Sequence, residues 1–110
     1  MKVVDVQSEN GIVMVRPLGR IDASTSKAFE KTMDEVLQQD AVVVVDMSDV
    51  PYISSCGLRV FVAAGKRLMG TGKLAAAALQ ASVLHEFELV GLTRIIRVFD
   101  DVAAAKACCA

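Results

Sequence analysis

The run Ala41-Val42-Val43-Val44-Val45 limits what this chain can fold into more than any other segment. It is apolar, almost wholly β-branched, and closed at its ends by two carboxylates, Asp40 and Asp46. β-Branched side chains are stiff at χ1 and suit a pleated surface. A strand with one wet face alternates apolar with polar residues. This one does not alternate, so both of its faces must be covered. The run therefore predicts a central strand inside a layered α/β domain.

The flanking segments supply the layers. Val3 to Gln7 alternates loosely, Glu9-Asn10-Gly11 is a turn signal, and Ile12 to Val15 resumes the strand pattern. The first seventeen residues thus read as a β-hairpin, ended by Pro17 and Gly19. Asp22-Ala23-Ser24-Thr25 offers several helix caps. Beyond it Phe29, Met33, Val36 and Leu37 share one helical face, and Lys27, Glu30, Lys31, Asp34 and Glu35 cover the other. Ser48-Asp49-Val50-Pro51 is a loop. From Gly57, the residues Leu58, Phe61, Val62, Leu68 and Met69 are expected on one helical face, with Arg59, Lys66 and Arg67 opposite. Gly70-Thr71-Gly72 stops that helix.

Lys73 to Leu79 pulls two ways. Its four alanines favour helix by propensity. Its place between two helices, just after glycines, favours a short buried strand, and we read it as a strand. Ser82 to Val90 reads as a helix with Leu84, Phe87 and Val90 on one side, ended by Gly91. Ile95 to Phe99 is a last strand, and Asp100 is expected to cap an alanine-rich final helix. The order β-β-α-β-α-β-α-β-α predicts a mixed sheet of four to five strands, parallel in part, with about four helices packed mainly on one face.

Composition narrows the function. At 110 residues the chain fits one domain, expected to span 1–110. A net charge of −1 argues against direct nucleic-acid binding. No block of like charge suits anionic lipid, and no apolar stretch of 18 residues suggests membrane insertion. Met1-Lys2-Val3-Val4-Asp5 is charged and soon polar, unlike a signal peptide, so a cytoplasmic location is expected. The cysteines Cys56, Cys108 and Cys109 are odd in number and form no disulfide framework. One histidine and no CxxC leave no zinc set, and no cofactor or metal is expected. Cys108 and Cys109 lie at a terminus and receive no role.

The chemistry concentrates in Ile53-Ser54-Ser55-Cys56-Gly57-Leu58, where strand and loop give way to a helix. Backbone N–H groups at a helix start lack intrahelical partners and favour negative charge. A serine here is either a plain N-cap or a site where phosphate is added and tolerated. Cys56 is either a small packed residue or a thiol whose pKa the helix terminus lowers. Gly57 is expected to permit close approach of backbone or partner.

Val42-Val43-Val44-Val45-Asp46-Met47-Ser48-Asp49-Val50-Pro51-Tyr52-Ile53-Ser54-Ser55-Cys56-Gly57-Leu58 resembles the signature of STAS domains, which include bacterial anti-sigma factor antagonists. Gly19-Arg20-Ile21-Asp22 is similar to the family's Gly-x-Leu/Ile-Asp before the first helix. Val90-Gly91-Leu92 and Phe99-Asp100-Asp101-Val102-Ala103 are similar to its later steps, so the resemblance spans essentially the whole chain. It implies a partner switch. An anti-sigma factor that is also a serine kinase of GHKL type binds the unmodified antagonist, phosphorylates it and releases it, and a serine phosphatase resets it. Aligned on Gly57-Leu58, the acceptor is Ser55. The family's Asp falls at Ser54, and its second Ser/Thr falls at Cys56. The resemblance further implies a partner-binding surface of Asp22, Ser54, Cys56, Gly57, Leu58 and Arg59. Asp22 also suits the N-cap of the first helix, and Arg59 also suits a solvated helix face.

Two other classes compete. A hydrolase using Ser55 or Cys56 needs a base and an oxyanion site. His85 is the only histidine, no Gly-x-Ser-x-Gly elbow exists, and the residue six after Cys56 is Val62 rather than the arginine of a phosphate loop. No catalytic residue is assigned on these grounds. The remaining alternative is a stand-alone STAS subunit of a membrane transport complex, or a small-ligand sensor.

Overall fold

The structure, a computed structural model, describes residues 3–39 and 41–109. The expectations for Met1, Lys2, Asp40 and the Cys109 side chain lie outside the described residues. The strands are β1 (Val4–Glu9), β2 (Ile12–Pro17), β3 (Val42–Asp46), β4 (Leu74–Ala77) and β5 (Arg97–Phe99). The helices are α1 (Ser26–Leu37), α2 (Ser55–Arg67), α3 (Ala81–Leu89) and α4 (Val102–Cys109), with a 3-10 turn at Leu92–Arg94. They follow one another in the predicted order.

The five strands lie side by side in chain order, β1-β2-β3-β4-β5. β1 and β2 form an antiparallel hairpin, and every later pairing is parallel. Asn10 (φ 52°) and Gly11 (φ 79°) make its two-residue turn, both left-handed as such a turn demands. A sheet that grows in one direction through right-handed crossovers places every crossover helix on the same side. α1, α2 and α3 accordingly share one face with Val13, Val15, Val43, Val45 and Ala76. α4 follows the last strand and falls on the other face, where Ala105 meets Val44, Ala75 and Ala77.

Val43, Val44 and Val45 are completely buried, as their lack of alternation requires. The same holds for Ala75, Ala76 and Ala77, so Lys73 to Leu79 contains a strand despite its helix propensity. Alanine is tolerated because helices press on both faces, and small side chains let α4 come close. The three-helix face centres on Phe61. Its ring lies 5.2 Å from Phe29 and 4.9 Å from Phe87, centroid to centroid.

Four local expectations are corrected. Met69 is 56% exposed, because α2 ends at Arg67 and the chain turns away at Gly70. Val60 and Ala64 fill the inner face of α2 with Leu58 and Phe61. Val90 is 50% exposed, since α3 ends at Leu89 and Val83, not Val90, joins Phe87 in the core. Ile95 and Ile96 precede β5 rather than belong to it. They pack against Gly65, where an added Cβ would lie 3.0 Å from Ile96 Cγ1. The cap of α4 is Asp101, not Asp100: Ala104 N–H donates to Asp101 Oδ1 at 2.7 Å.

Candidate functional site

The serine turn is held by a stitch between two loops. Ile21 and Ile53 form an isolated parallel bridge. Ile21 N–H donates to the Tyr52 carbonyl (3.0 Å), and Ser54 N–H donates to the Ile21 carbonyl (2.8 Å). The loop entering α1 and the loop entering α2 are thereby locked side by side, so Asp22 and Ser54 directly follow the two bridged residues. From α3, Ser82 Oγ donates to the Pro51 carbonyl (3.2 Å) and Gln80 Nε2 to the Ser48 carbonyl (3.2 Å). The β3–α2 loop is thus anchored on both sides.

Beneath the stitch sits Gly57. A Cβ there would lie 2.6 Å from Ile21 Cγ2 and 2.8 Å from Ile53 Cγ1. Neither atom is the free end of a flexible side chain, so any larger residue pushes the stitch apart. The close approach expected at Gly57 is therefore to the core. Leu58, 7% exposed, also faces inward. Both residues set the height and angle of the turn from below. Gly57→Val is expected to cost about 1–3 kcal/mol by overpacking, with helix propensity offsetting only a few tenths. Urea denaturation measures it.

The two serines divide the roles that the sequence left open. Ser54 is the N-cap: its backbone is extended, and its Oγ accepts from the Gly57 N–H at 3.3 Å. Ser55 is the first residue of α2 and is exposed. Its hydroxyl has no hydrogen-bond partner among the described residues. Ser54→Ala is therefore expected to lower stability by about 1 kcal/mol. Ser55→Ala should stay within about 0.5 kcal/mol of the parent. The two thermal melts, run in parallel, check the assignment.

Asp22 organises the other half of the surface. Its Oδ1 accepts from Ser24 Oγ (2.7 Å), Ser24 N–H (3.0 Å) and Thr25 N–H (3.2 Å). Thr25 Oγ1 accepts from the Asp22 N–H (2.9 Å) and donates to the Arg20 carbonyl (2.7 Å). Asp22 therefore caps the turn that leads into α1, while the N-cap position belongs to Thr25, which makes no side-chain cap bond. The Ser24 hydroxyl, aided by these backbone N–H groups, holds the Asp22 carboxyl below its usual pKa against the opposing effect of desolvation. A depressed folded pKa stabilises above the unfolded value of about 3.9. That contribution is lost as pH falls through the folded value. Stability should thus decline less steeply on acidification in Asp22→Asn than in the parent, read from urea midpoints at falling pH.

Two residues of this surface escaped the sequence reading. The Arg20 guanidinium stacks 4.5 Å from the centroid of the Tyr52 ring and lies 3.7 Å from an Asp22 oxygen. Tyr52 is 44% exposed. Both residues stand inside the motifs quoted above, but the stitch that pairs them joins distant parts of the chain.

Cys56 is half-buried and borders a recess of about 170 Å³, with Lys27, Glu30 and exposed Arg59 on its walls. This is below the roughly 300 Å³ at which small-molecule pockets begin. His85 is exposed on α3. No side chain among the described residues addresses the Ser55 hydroxyl as a base, and no group of three His, Cys, Asp or Glu there could hold a metal. No helix of the described residues is long and apolar enough to cross a membrane. The arrangement presents an exposed hydroxyl, without a hydrogen-bond partner among the described residues, at the start of α2.

Residues 3–105 match the family model described as STAS domain. The chain is 28% identical over 100 residues to the anti-sigma-F factor antagonist RsfB of Mycobacterium tuberculosis, covering 90% of this chain and 82% of that one. It is 32% identical over 82 residues to the anti-sigma-B factor antagonist of Listeria monocytogenes, covering 73% and 72%. Its fold superimposes on the crystal structure of an anti-sigma factor antagonist from Mycobacterium paratuberculosis with a TM-score of 0.88, at 23% identity, over 96% of this chain and 91% of that one.

Proposed function

The chain belongs to the STAS domain family, and from that premise we propose that it is an anti-sigma factor antagonist switched by phosphorylation of Ser55. In this reading it is a binding module rather than an enzyme. Its partner is a cognate anti-sigma factor that is also a serine kinase of GHKL type. A serine phosphatase restores the binding form. The antagonist relatives support the partner class. One observation carries the choice of residue: Ser54 supplies the cap, which leaves Ser55 exposed and uncommitted.

The physics of the switch follows from that division. Phosphate on Ser55 adds about −1.5 to −2 charges. The helix N-terminus accepts negative charge, stabilised by roughly 0.3–1 kcal/mol, so the fold survives. A partner surface shaped for a small neutral hydroxyl must desolvate that charge without a counter-ion, so the complex does not survive. Asp22, Ser54, Cys56 and Arg59 form the partner surface around the switch. Tyr52 and Arg20, the residue types that dominate hot spots, extend it. Gly57 and Leu58 serve it by holding the turn.

The test is a pull-down from native cytosol with intact-mass measurement of the recovered protein. Recovery of a GHKL-type ATPase, and one phosphate mapped to Ser55 in the unbound fraction, is the expected result. Recovery of permease subunits, with no phosphate on the chain, would favour a transport-complex subunit instead.

A further inference from the structure

The sheet extends farther than α4 can cover. α4 packs over β3, β4 and β5 and leaves the hairpin half of that face open. Ile12, Met14 and Val42, the last at the start of β3, flank the cluster beneath α4 and are only partly buried. Above them, between the hairpin and the end of α4, lies an open cavity of about 470 Å³. Its floor is those three apolar residues, and Gln7, Glu9 and Lys106 stand around it. The size falls within the roughly 300–1,000 Å³ of small-molecule sites, and the lining has their pattern of apolar surface with a few polar groups.

The charges around it narrow the occupant. Glu9 and Lys106 border the same cavity, and neither forms an ion pair with any described residue. Asp46, which shares a smaller recess with Lys106, already accepts the Ser48 N–H at 3.0 Å. Lys106 is half-buried, so its stem lies along apolar surface. A purely apolar ligand would desolvate a carboxylate and an ammonium without pairing either. A ligand of single charge would pair one and repel the other. An apolar body with one positive and one negative end meets all three demands.

We propose that this cavity binds a small apolar zwitterion of the size of an aliphatic dipeptide. The ligand ammonium pairs with Glu9, its carboxylate pairs with Lys106, and its side chains rest on Ile12, Met14 and Val42. The site lies on the opposite face of the sheet from α2, beside the Asn10-Gly11 turn at the far end of the strands from Ser55. It would give the domain a ligand-sensing function separate from the serine switch.

The probe is leucyl-leucine, titrated into the 15N-labelled 110-residue chain and followed by amide shifts. Saturable shifts at millimolar or lower concentration are expected in residues 7–14, at Val42 and along α4. Glu9→Gln and Lys106→Ala should each weaken binding about tenfold, the worth of one ion pair of about 1.4 kcal/mol. Glu9 is exposed and Lys106 half-buried, and a preserved spectrum shows that the fold is intact in each variant. N-acetyl-leucyl-leucine, an anion without the ammonium, should bind about tenfold more weakly to the parent and at least as tightly to Glu9→Gln as to the parent. Absence of saturable shifts overturns the proposal, as does equal binding of the free and acetylated dipeptides.

Discussion

Ser55→Asp is expected to weaken the complex with the anti-sigma factor at least about a hundredfold, while Ser55→Ala binds like the parent. A hundredfold is about 2.7 kcal/mol. That is modest beside the cost of burying an unpaired carboxylate at an interface, which is several kcal/mol. The loss cannot come from unfolding. Ser55 is exposed, its hydroxyl makes no hydrogen bond among the described residues, and it opens α2. An aspartate there meets the positive end of the helix dipole and gains roughly 0.3–1 kcal/mol. The thermal midpoint of Ser55→Asp should therefore equal or slightly exceed that of the parent while binding collapses. Opposite signs for stability and affinity separate a charge switch from a damaged fold. Titration calorimetry and a thermal melt on the same sample read both.

Phe61→Ala should act in the contrary way, abolishing binding through the fold. Phe61 is fully buried, tilted against Phe29 and edge-on to Phe87, and it joins α1, α2 and α3 over the sheet. Removing such a ring costs about 3–5 kcal/mol in lost burial and unfilled cavity. Domains of this kind have about 5–15 kcal/mol in total. The urea midpoint should fall sharply with an unchanged slope, because the cavity alters stability and not the surface exposed on unfolding. Any loss of partner binding by this variant should recover at low temperature or with an added stabilising osmolyte, whereas the Ser55→Asp loss should not.

The parts of the fold that were legible in the sequence are those where one periodicity had no rival. The valine run of β3 could satisfy its side chains only between two covered faces, and it is covered on both. The inner face of α1, and Leu58 and Phe61 on α2, emerged from spacing alone, whereas Val60 and Ala64 did not. β4 was harder, because its alanines carry a helical preference that only tertiary burial overrides. The misplaced Met69 and Val90 share one cause: helical periodicity was extended past the residue where the backbone stops being helical. The cap of α4, expected at Asp100 and found at Asp101, is a shift of one residue between two equivalent cap acceptors. Nothing local reveals that α4 covers the second face, since a helix of mostly alanine and cysteine has almost no polar side.

The site divides in the same manner. Ser54, Ser55, Cys56 and Gly57 are contiguous, so their position at a helix start was readable. Which serine caps was not, because both side chains are chemically able to do so. The structure assigns the cap to Ser54 through the Gly57 N–H. The inward orientation of Gly57 and Leu58 depends on the Ile21–Ile53 bridge, which spans two loops. The Arg20–Tyr52 stack depends on the same bridge. Contacts of that kind are set by topology and have no signature within either segment.

The serine switch meets its most direct test in protein carrying phosphate on Ser55 alone, titrated against the anti-sigma factor beside unmodified protein. The expected result is tight binding of the unmodified form, and affinity at least about a hundredfold lower, or about 2.7 kcal/mol, for the phosphorylated form, with both forms melting at the same temperature or the phosphorylated one slightly higher. Equal affinity of the two forms would contradict the switch.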